Sequence, residues 1–263
     1  MIRHVDNLYA FLHLPKTGGT FFREILTNFF NGVYNNDKYR FHAVPENYGM
    51  YTHRIGLVRD PFEFYVSLFY SFKKFNADHP APLFYYLIPV EYKDNKNSKI
   101  FNDLKHITSY YDQDDKTAFK NFYTYLNNLD HGYIFNDHWW GNYIDFSSHG
   151  DLNIGLYSRV YMFMYYLNSI SFFESGYNVL SALIRTDNIF EDTLFTFKTI
   201  GLNTESFSKN FGNFLNGDGF KKPDKNINTK RKYDYIEYYD DQMIQACKDQ
   251  ERYILRDIEI TKL

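Results

Sequence analysis

The chain reads Phe-Leu-His-Leu-Pro-Lys-Thr-Gly-Gly-Thr-Phe at residues 11–21, and this stretch predicts how the fold begins. An apolar run from Leu8 to Leu14 ends at Pro15, and a lysine, two glycines and two threonines follow. The next apolar residues have helical spacing: Phe22, Ile25, Leu26, Phe29 and Phe30. A strand, a tight glycine turn and a helix start form a cradle for an anion, because the turn N–H groups and the helix dipole both favour negative charge.

The order of residues in this cradle differs from that of the loop that binds nucleoside triphosphates. In the triphosphate loop the lysine follows the glycines, whereas here Lys16 precedes Gly18 and Gly19. The loop is also shorter, which suits a smaller anion, such as one phosphate with a sulfate attached. The alternative is an ordinary turn between a strand and a helix, since glycine pairs mark turns of many kinds. The preceding strand, the following helix and Lys16-Thr17 favour the anion site.

A second candidate anion site lies in residues 54–72, which read Arg-Ile-Gly-Leu-Val-Arg-Asp-Pro-Phe-Glu-Phe-Tyr-Val-Ser-Leu-Phe-Tyr-Ser-Phe. The run 55–58 predicts a buried strand, and Asp60-Pro61 is typical of a helix start. Arg59 is therefore expected at a strand end, where open α/β folds bind ligands, and Ser67 on the helix that follows. The alternative role for Arg59 is an ion pair with Asp60 or Glu63.

These two segments together resemble sulfotransferases that use 3′-phosphoadenosine 5′-phosphosulfate (PAPS). Pro-Lys-Thr-Gly-Gly-Thr resembles their 5′-phosphosulfate loop, most closely that of the heparan and chondroitin O-sulfotransferases. Arg-Asp-Pro with a serine eight residues after the arginine resembles their 3′-phosphate motif. Many members carry arginine where this chain has Phe64, so the role of that position differs here.

The resemblance implies roles for individual residues. Lys16 would contact the bridging oxygen of the leaving group, and Arg59 and Ser67 would bind the 3′-phosphate. A guanidinium suits a phosphate because it offers several fixed donors. The residues expected to hold the 5′-phosphosulfate are Lys16, Thr17, Gly18, Gly19, Thr20 and Phe21.

A histidine between the two motifs is the expected general base. Sulfuryl transfer to an alcohol requires removal of the hydroxyl proton, and a histidine with a pKa near neutrality suits that task. His42 is the first candidate because the carbohydrate enzymes that the chain resembles often carry a histidine in this interval. His53 and Glu46 are the alternatives, while His13 is expected to be a core or strand-end residue.

The C-terminal part of the chain predicts a strand ending at Arg185, a helix closing at Gly201 and a last helix from Tyr233 to about Arg256. The Thr-Asp-Asn-Ile turn at 186–189 is interpreted as architecture. Residues 221–233 form a basic loop, of which 226–230 resemble the loop that closes the nucleotide site in the family. Functional use is expected for the group Thr229, Lys230 and Arg231.

Size and composition limit the function classes. The 263 residues suit a single domain spanning 1–263, with 76–150 as an expected acceptor-side insertion. A net charge of −3 argues against nucleic acid as the main partner. One cysteine excludes an internal disulfide and fits a reducing cytosol. No metal is expected, because the histidines show no zinc-ligand spacing.

A cytoplasmic or otherwise soluble protein without a membrane anchor is expected, since neither a targeting peptide nor an apolar stretch of ~18 residues is visible. The expected fold is α/β, of the P-loop nucleotide kinase-like type with a central parallel sheet flanked by helices. The expected reaction transfers a sulfuryl group from PAPS to a hydroxyl acceptor, most simply a carbohydrate or another small molecule, leaving adenosine 3′,5′-bisphosphate. The rival hypotheses are a kinase that uses ATP and Mg²⁺ and a non-catalytic nucleotide-binding module.

Overall fold

A computed structural model describes residues 2–4, 6, 8–14, 16–34, 51–73, 114–128, 153–166, 170–176, 178–217 and 233–261. A five-stranded mixed sheet lies at its centre. The strands are β1 (Ile2–His4), β2 (Tyr9–Leu12), β3 (Gly32–Tyr34), β4 (His53–Val58) and β5 (Ala182–Arg185). Their order across the sheet is β3-β1-β2-β4-β5.

Parallel pairing is confined to one side of this sheet. β2 pairs with β4 and β4 pairs with β5 in parallel, as expected from the sequence. β1 is antiparallel to both β2 and β3, so the sheet is mixed and the expected parallel arrangement holds only for β2, β4 and β5. The short link between β1 and β2 explains the difference, because a parallel crossover requires about a dozen residues and an antiparallel pair does not.

Helices cover both faces of the sheet. They are α1 (Gly19–Phe29), α2 (Pro61–Lys73), α3 (Asp115–Asn128), α4 (Leu156–Tyr165), α5 (Ile170–Ser175), α6 (Ile189–Thr199), α7 (Glu205–Asn216), a 3₁₀ helix (Tyr235–Tyr238), α8 (Asp241–Gln250) and α9 (Arg252–Ile260). Within the described ranges, no helix combines the length and the apolar character needed to cross a bilayer.

Two separate groups of buried side chains form the core, one on each face, because successive strand residues point to opposite sides. α1, α6 and α7 cover the phenylalanine cluster, which contains Phe11, Phe22, Phe30, Phe197, Phe207 and Phe214. α2, α3, α4, α8 and α9 cover the tyrosine cluster, which contains Tyr65, Tyr123, Tyr157, Tyr161, Tyr165, Tyr166, Tyr238 and Tyr239. α3, which lies within the expected insertion 76–150, buries one face in the second cluster.

The C-terminal helix is divided, which corrects the prediction of one continuous helix after Tyr233. A 3₁₀ turn comes first, and Asp240 then caps a new helix by accepting a hydrogen bond from the Met243 N–H at 2.9 Å. α8 ends at Gln250, and the next residue, Glu251, departs from helical geometry and has a fully buried side chain. An apolar stripe in the sequence does not reveal such breaks, because its spacing continues across them.

Candidate functional site

The loop between β2 and α1 has the strand, turn and helix order expected for an anion cradle. Gly18 precedes α1 with a φ of 78°, a left-handed conformation that favours glycine. Lys16 also has a positive φ, 65°, which is uncommon for a residue with a side chain and often marks a functional loop. Thr17 is fully buried, and its hydroxyl donates to the Leu14 carbonyl at 2.8 Å.

This bond limits what Thr17 offers to a ligand. A hydroxyl has one hydrogen to donate, and here that hydrogen fastens the loop to the end of the preceding strand. Thr20 is exposed and its oxygen accepts from Arg23 Nη2 at 3.4 Å, an arrangement that retains the hydroxyl hydrogen for donation. Phe21 directs its ring into the phenylalanine cluster, with its centroid 5.6 Å from that of Phe214.

Close packing explains both glycines of the loop. A Cβ on Gly19 would lie 1.8 Å from the His13 ring, which is buried against the loop. His13 is therefore the strand-end residue that was expected. A Cβ on Gly18 would lie 3.3 Å from the methyl group of Thr186, the residue after β5. The loop thus contacts the carboxyl end of β5 as well as that of its own strand.

Arg59 follows β4 and lies beside the same loop. Its Nη1 donates to the Lys16 carbonyl at 3.1 Å, across 43 residues of sequence. Its Nε forms an ion pair with Glu63 Oε2 at 3.0 Å. The ion pair that was the alternative for Arg59 is therefore present, and so is the contact with the loop. The arginine side chain is 11% exposed, so both interactions are largely shielded from water.

Carboxyl groups surround this arginine and affect the electrostatics of the site. Asp60 caps α2 by accepting from the N–H groups of Phe62 and Glu63 at 2.8 and 3.3 Å, as expected for a helix start. Burial raises the pKa of Asp60, and the nearby charges of Glu63 and Asp187 raise it further. These acids lower the positive potential that Arg59 contributes, so a strongly anionic ligand needs additional cations here.

The segment that follows the basic stretch 221–232 returns to this edge of the sheet. The Tyr239 hydroxyl donates to the Phe62 carbonyl at 2.9 Å, which joins the 3₁₀ segment to the start of α2. Burial raises the pKa of Tyr235, and the charges of Asp60 and Glu63 add to this effect. The 3₁₀ segment, which begins three residues after the basic stretch, is therefore joined to the start of α2, close in sequence to Arg59.

The structure brings together some of the sequence-predicted residues and separates others. Lys16 and Arg59 lie side by side, whereas His53 begins β4 and pairs with Tyr9 at the opposite edge of the sheet. Ser67 is 2% exposed, within the buried part of α2. Five further candidates lie outside the described residues: His42, Glu46, Thr229, Lys230 and Arg231.

Sequence reasoning did not identify Tyr157, whose hydroxyl accepts the Arg59 N–H at 3.0 Å. Tyrosines at 157, 161 and 165 have the spacing of one helix face, which predicts a buried helix. That spacing does not reveal which strand the face contacts, since the contact spans 98 residues.

Comparison with known proteins found no protein-family model, no curated protein and no solved structure that matches this chain. Within the described ranges, no group of three or more His, Cys, Asp or Glu side chains is arranged to hold a metal ion. The geometry of the site places a lysine loop and an arginine at the carboxyl ends of parallel strands.

Proposed function

We propose that this protein is a PAPS-dependent O-sulfotransferase that transfers a sulfuryl group to a hydroxyl of a carbohydrate. The supporting observation is the hydrogen bond of 3.1 Å from the Arg59 guanidinium to the Lys16 carbonyl. It brings the two segments that resemble the 5′-phosphosulfate and 3′-phosphate motifs to one edge of the sheet. A single nucleotide with an anionic group at each of these positions spans such neighbouring sites.

The proposed reaction is an in-line displacement at sulfur. The acceptor oxygen forms a bond to sulfur while the bond from sulfur to the bridging oxygen breaks, and His42 takes the acceptor proton. The bridging oxygen remains on adenosine 3′,5′-bisphosphate, where Lys16 stabilises its developing negative charge. Arg59 and Ser67 anchor the 3′-phosphate, so that nucleotide binding orients the sulfate.

The acidic surroundings of Arg59 give the basic stretch 221–232 a role in this proposal. Asp60, Glu63 and Asp187 offset part of the positive charge at the strand ends. Lys230 and Arg231, with Thr229, would supply the additional positive charge and hydrogen-bond donors that the nucleotide requires. The hydrogen bond from the Tyr239 hydroxyl to the Phe62 carbonyl supports this assignment, because Tyr239 follows the stretch by only seven residues.

Calorimetry with the intact protein tests the nucleotide assignment. Adenosine 3′,5′-bisphosphate is expected to bind more tightly than ATP, with and without Mg²⁺. A preference for ATP that depends on Mg²⁺ would replace this proposal with the kinase. Binding of the bisphosphate without transfer of radiolabelled sulfate to any of a panel of saccharides and other alcohols would favour a non-catalytic module.

Two alanine variants test the chemical roles. Lys16→Ala is expected to lower turnover about 10²–10³-fold, as for loss of one preorganised group at a developing charge. His42→Ala is expected to lower it about 10²–10⁴-fold. Lys198→Ala, at an exposed position on α6, is the matched control for the lysine and should retain full turnover. Full activity of either Lys16→Ala or His42→Ala would remove that residue from the mechanism.

A further inference from the structure

Side chains of helix α4 form hydrogen bonds with the backbone of β4 and the residue after it, beyond the point where the pairing of β4 with β2 ends. The pairing of β2 with β4 ends at Leu12 opposite Gly56. The Val58 carbonyl accepts from the Thr186 N–H, on the β5 side. The N–H and C=O groups of successive strand residues point to opposite sides of the strand. Those of Leu57 and Arg59 therefore face the β2 side, beyond the end of the pairing with β2.

Two tyrosine hydroxyls of α4 occupy that side. Tyr165 accepts from the Leu57 N–H at 3.0 Å, and its hydroxyl lies 3.0 Å from the Leu57 carbonyl and 3.2 Å from that of Leu12. Tyr157 accepts from the Arg59 N–H at 3.0 Å and donates to the Arg59 carbonyl at 3.2 Å. The helix thus supplies side-chain partners that a neighbouring strand would otherwise provide.

The absence of a side chain at Gly56 allows this approach. A Cβ at that position would lie 2.8 Å from the Tyr165 ring. Such a contact would push α4 away from the sheet, and the tyrosine hydroxyls would then lose their backbone partners. Burial raises the pKa of both Tyr157 and Tyr165, which keeps these hydroxyls protonated and able to donate.

Tyr157 is itself held from two directions. Its ring stacks on that of Phe64, with centroids 3.9 Å apart and planes 3° from parallel. The helix start that carries it is fixed by Glu251, whose Oε2 accepts from the Ser158 N–H at 2.8 Å and from its hydroxyl at 2.6 Å. A Cβ on Gly155 would lie 1.9 Å from Glu251 Oε1, so this carboxylate occupies the space that a side chain would need.

From this arrangement we infer that Tyr157 is a positioning residue for Arg59. Its hydroxyl fixes the backbone from which the guanidinium reaches the Lys16 loop, and it thereby sets the 3′-phosphate site of the proposed function, on which this inference rests. The ring of Phe64 supports Tyr157 by stacking on it. The contribution of Arg59 to 3′-phosphate recognition thus depends on a backbone that Tyr157 holds, and the Phe64 ring supports that tyrosine.

The test compares two nucleotides that differ only at the 3′ position. Tyr157→Phe keeps the ring stack and removes the hydroxyl. Calorimetry should show that adenosine 3′,5′-bisphosphate binds about three- to tenfold more weakly, as for loss of one hydrogen bond. The affinity for adenosine 5′-monophosphate should stay the same. Loss of equal size for both nucleotides, or no loss for the bisphosphate, would overturn the inference.

Tyr161→Phe is the matched control. Tyr161 lies on the same helix and is fully buried, but its hydroxyl donates to Asp257 at 3.1 Å and does not contact Arg59 through this bond. This variant should bind both nucleotides like the unaltered protein. Should Tyr157→Phe fail to fold, Phe64→Leu offers a second route, since it leaves the hydroxyl and removes the stacked ring. It should weaken bisphosphate binding selectively and by a smaller factor.

Amide hydrogen exchange separates a failure of this inference from a failure of the proposed function, because it requires no nucleotide. The Arg59 amide, with its NMR signal assigned through Arg59→Lys, should be protected in the unaltered protein and exchange at least tenfold faster in Tyr157→Phe. Protection of the Ile55 amide should persist. If the bisphosphate does not bind at all but this difference is seen, the sulfotransferase proposal fails and the positioning contact stands. Equal exchange of the Arg59 amide in both proteins would reject the contact.

Discussion

Helices cover both faces of the sheet, but the two faces are held together differently. The phenylalanine cluster consists mainly of packed phenylalanine, leucine and isoleucine side chains, as where Phe30 stacks on Phe197 at 4.1 Å and Phe207 lies 5.1 Å from Phe211. Its one tyrosine among the described residues, Tyr9, donates to the Phe30 carbonyl at 2.8 Å. In the tyrosine cluster, hydroxyls reach carboxylates and strand backbone. Tyr161 and Tyr166 both donate to Asp257, and Tyr65 donates to Glu251.

This difference has a physical consequence for the site. Packing of rings depends on area and shape and tolerates small displacements, whereas a buried hydroxyl must keep its partner at a fixed distance and angle. The hydroxyls of the tyrosine cluster therefore fix where α4 lies relative to β4. The same face carries Tyr157, which contacts Arg59, so the more tightly specified half of the core adjoins the candidate site.

The largest effect should come from Glu251→Ala, which removes the central acceptor of the tyrosine cluster. Two donors lose their acceptor, the Ser158 N–H and the Tyr65 hydroxyl, and the Ser158 hydroxyl keeps only its longer bond to the Gln250 carbonyl at 3.3 Å. At ~1–3 kcal/mol for each unsatisfied group, partly relieved by water, the free energy of unfolding should fall by about 3–5 kcal/mol. Denaturant titration measures it. Glu191→Ala, at an exposed position in α6, is the control and should change stability by less than ~0.5 kcal/mol.

Removing a hydroxyl from the tyrosine cluster and adding one to the phenylalanine cluster tests the comparison directly. Tyr165→Phe leaves the buried Leu57 N–H without its acceptor and should cost about 1–3 kcal/mol. Phe207→Tyr places a hydroxyl among the surrounding rings of Phe30, Phe190 and Phe211 and should cost a similar ~1–3 kcal/mol. The measurement is the denaturant concentration at the midpoint of unfolding, compared between proteins whose unfolding free energy has the same dependence on denaturant. If both exchanges were neutral, the distinction between the two faces would have no energetic meaning.

The pH dependence of stability should differ between Glu251→Gln and the unaltered protein. Burial raises the pKa of Glu251 above its ordinary value of 4.5. The folded state then binds more protons than the unfolded state, so stability falls as the pH rises from about 4.5 through the raised pKa. Glutamine does not titrate, and the difference in unfolding free energy between the two proteins should therefore change in this window. A pH-independent difference would contradict the raised pKa.

The smallest effect should come from Asp240→Ala, at the start of α8 and outside both clusters. Loss of its bond to the Met243 N–H should cost about 1 kcal/mol, as for other helix caps. The hydrogen bond from Lys120 lowers the pKa of Asp240, with the Met243 N–H contributing. Asp240 therefore stabilises the folded state at pH values above its ordinary pKa of 3.8, and this stabilisation is lost as the pH falls. The pH dependence due to Glu251 has the opposite sign. Urea titrations at two pH values would reveal both signs.

Local sequence patterns predicted the elements that carry the candidate site. The apolar run before Pro15 became β2, the run 55–58 became β4, and the strand ending at Arg185 became β5. Asp60-Pro61 started α2 as expected. These predictions succeeded because each depends on residues within one turn or one strand of each other, where propensity, capping and glycine geometry act.

Predictions that required knowledge of distant neighbours failed or were not made. β1 and β3 are short and lack a distinctive alternation, so only their pairing with each other and with β2 makes them strands. The break at Glu251 depends on Ser158, 93 residues earlier. The apolar stripe that predicted one continuous last helix does not indicate that the Glu251 carboxylate is buried in the core.

From its order of residues alone, this chain specifies a glycine loop with a lysine, an arginine at a strand end and the helices that follow them. The side-by-side placement of Lys16 and Arg59, and the attachment of Arg59 to Tyr157, arise only when the chain is folded. The reason is that backbone conformation follows from neighbours along the chain, whereas hydrogen bonds spanning 43 and 98 residues depend on how helices pack on the sheet.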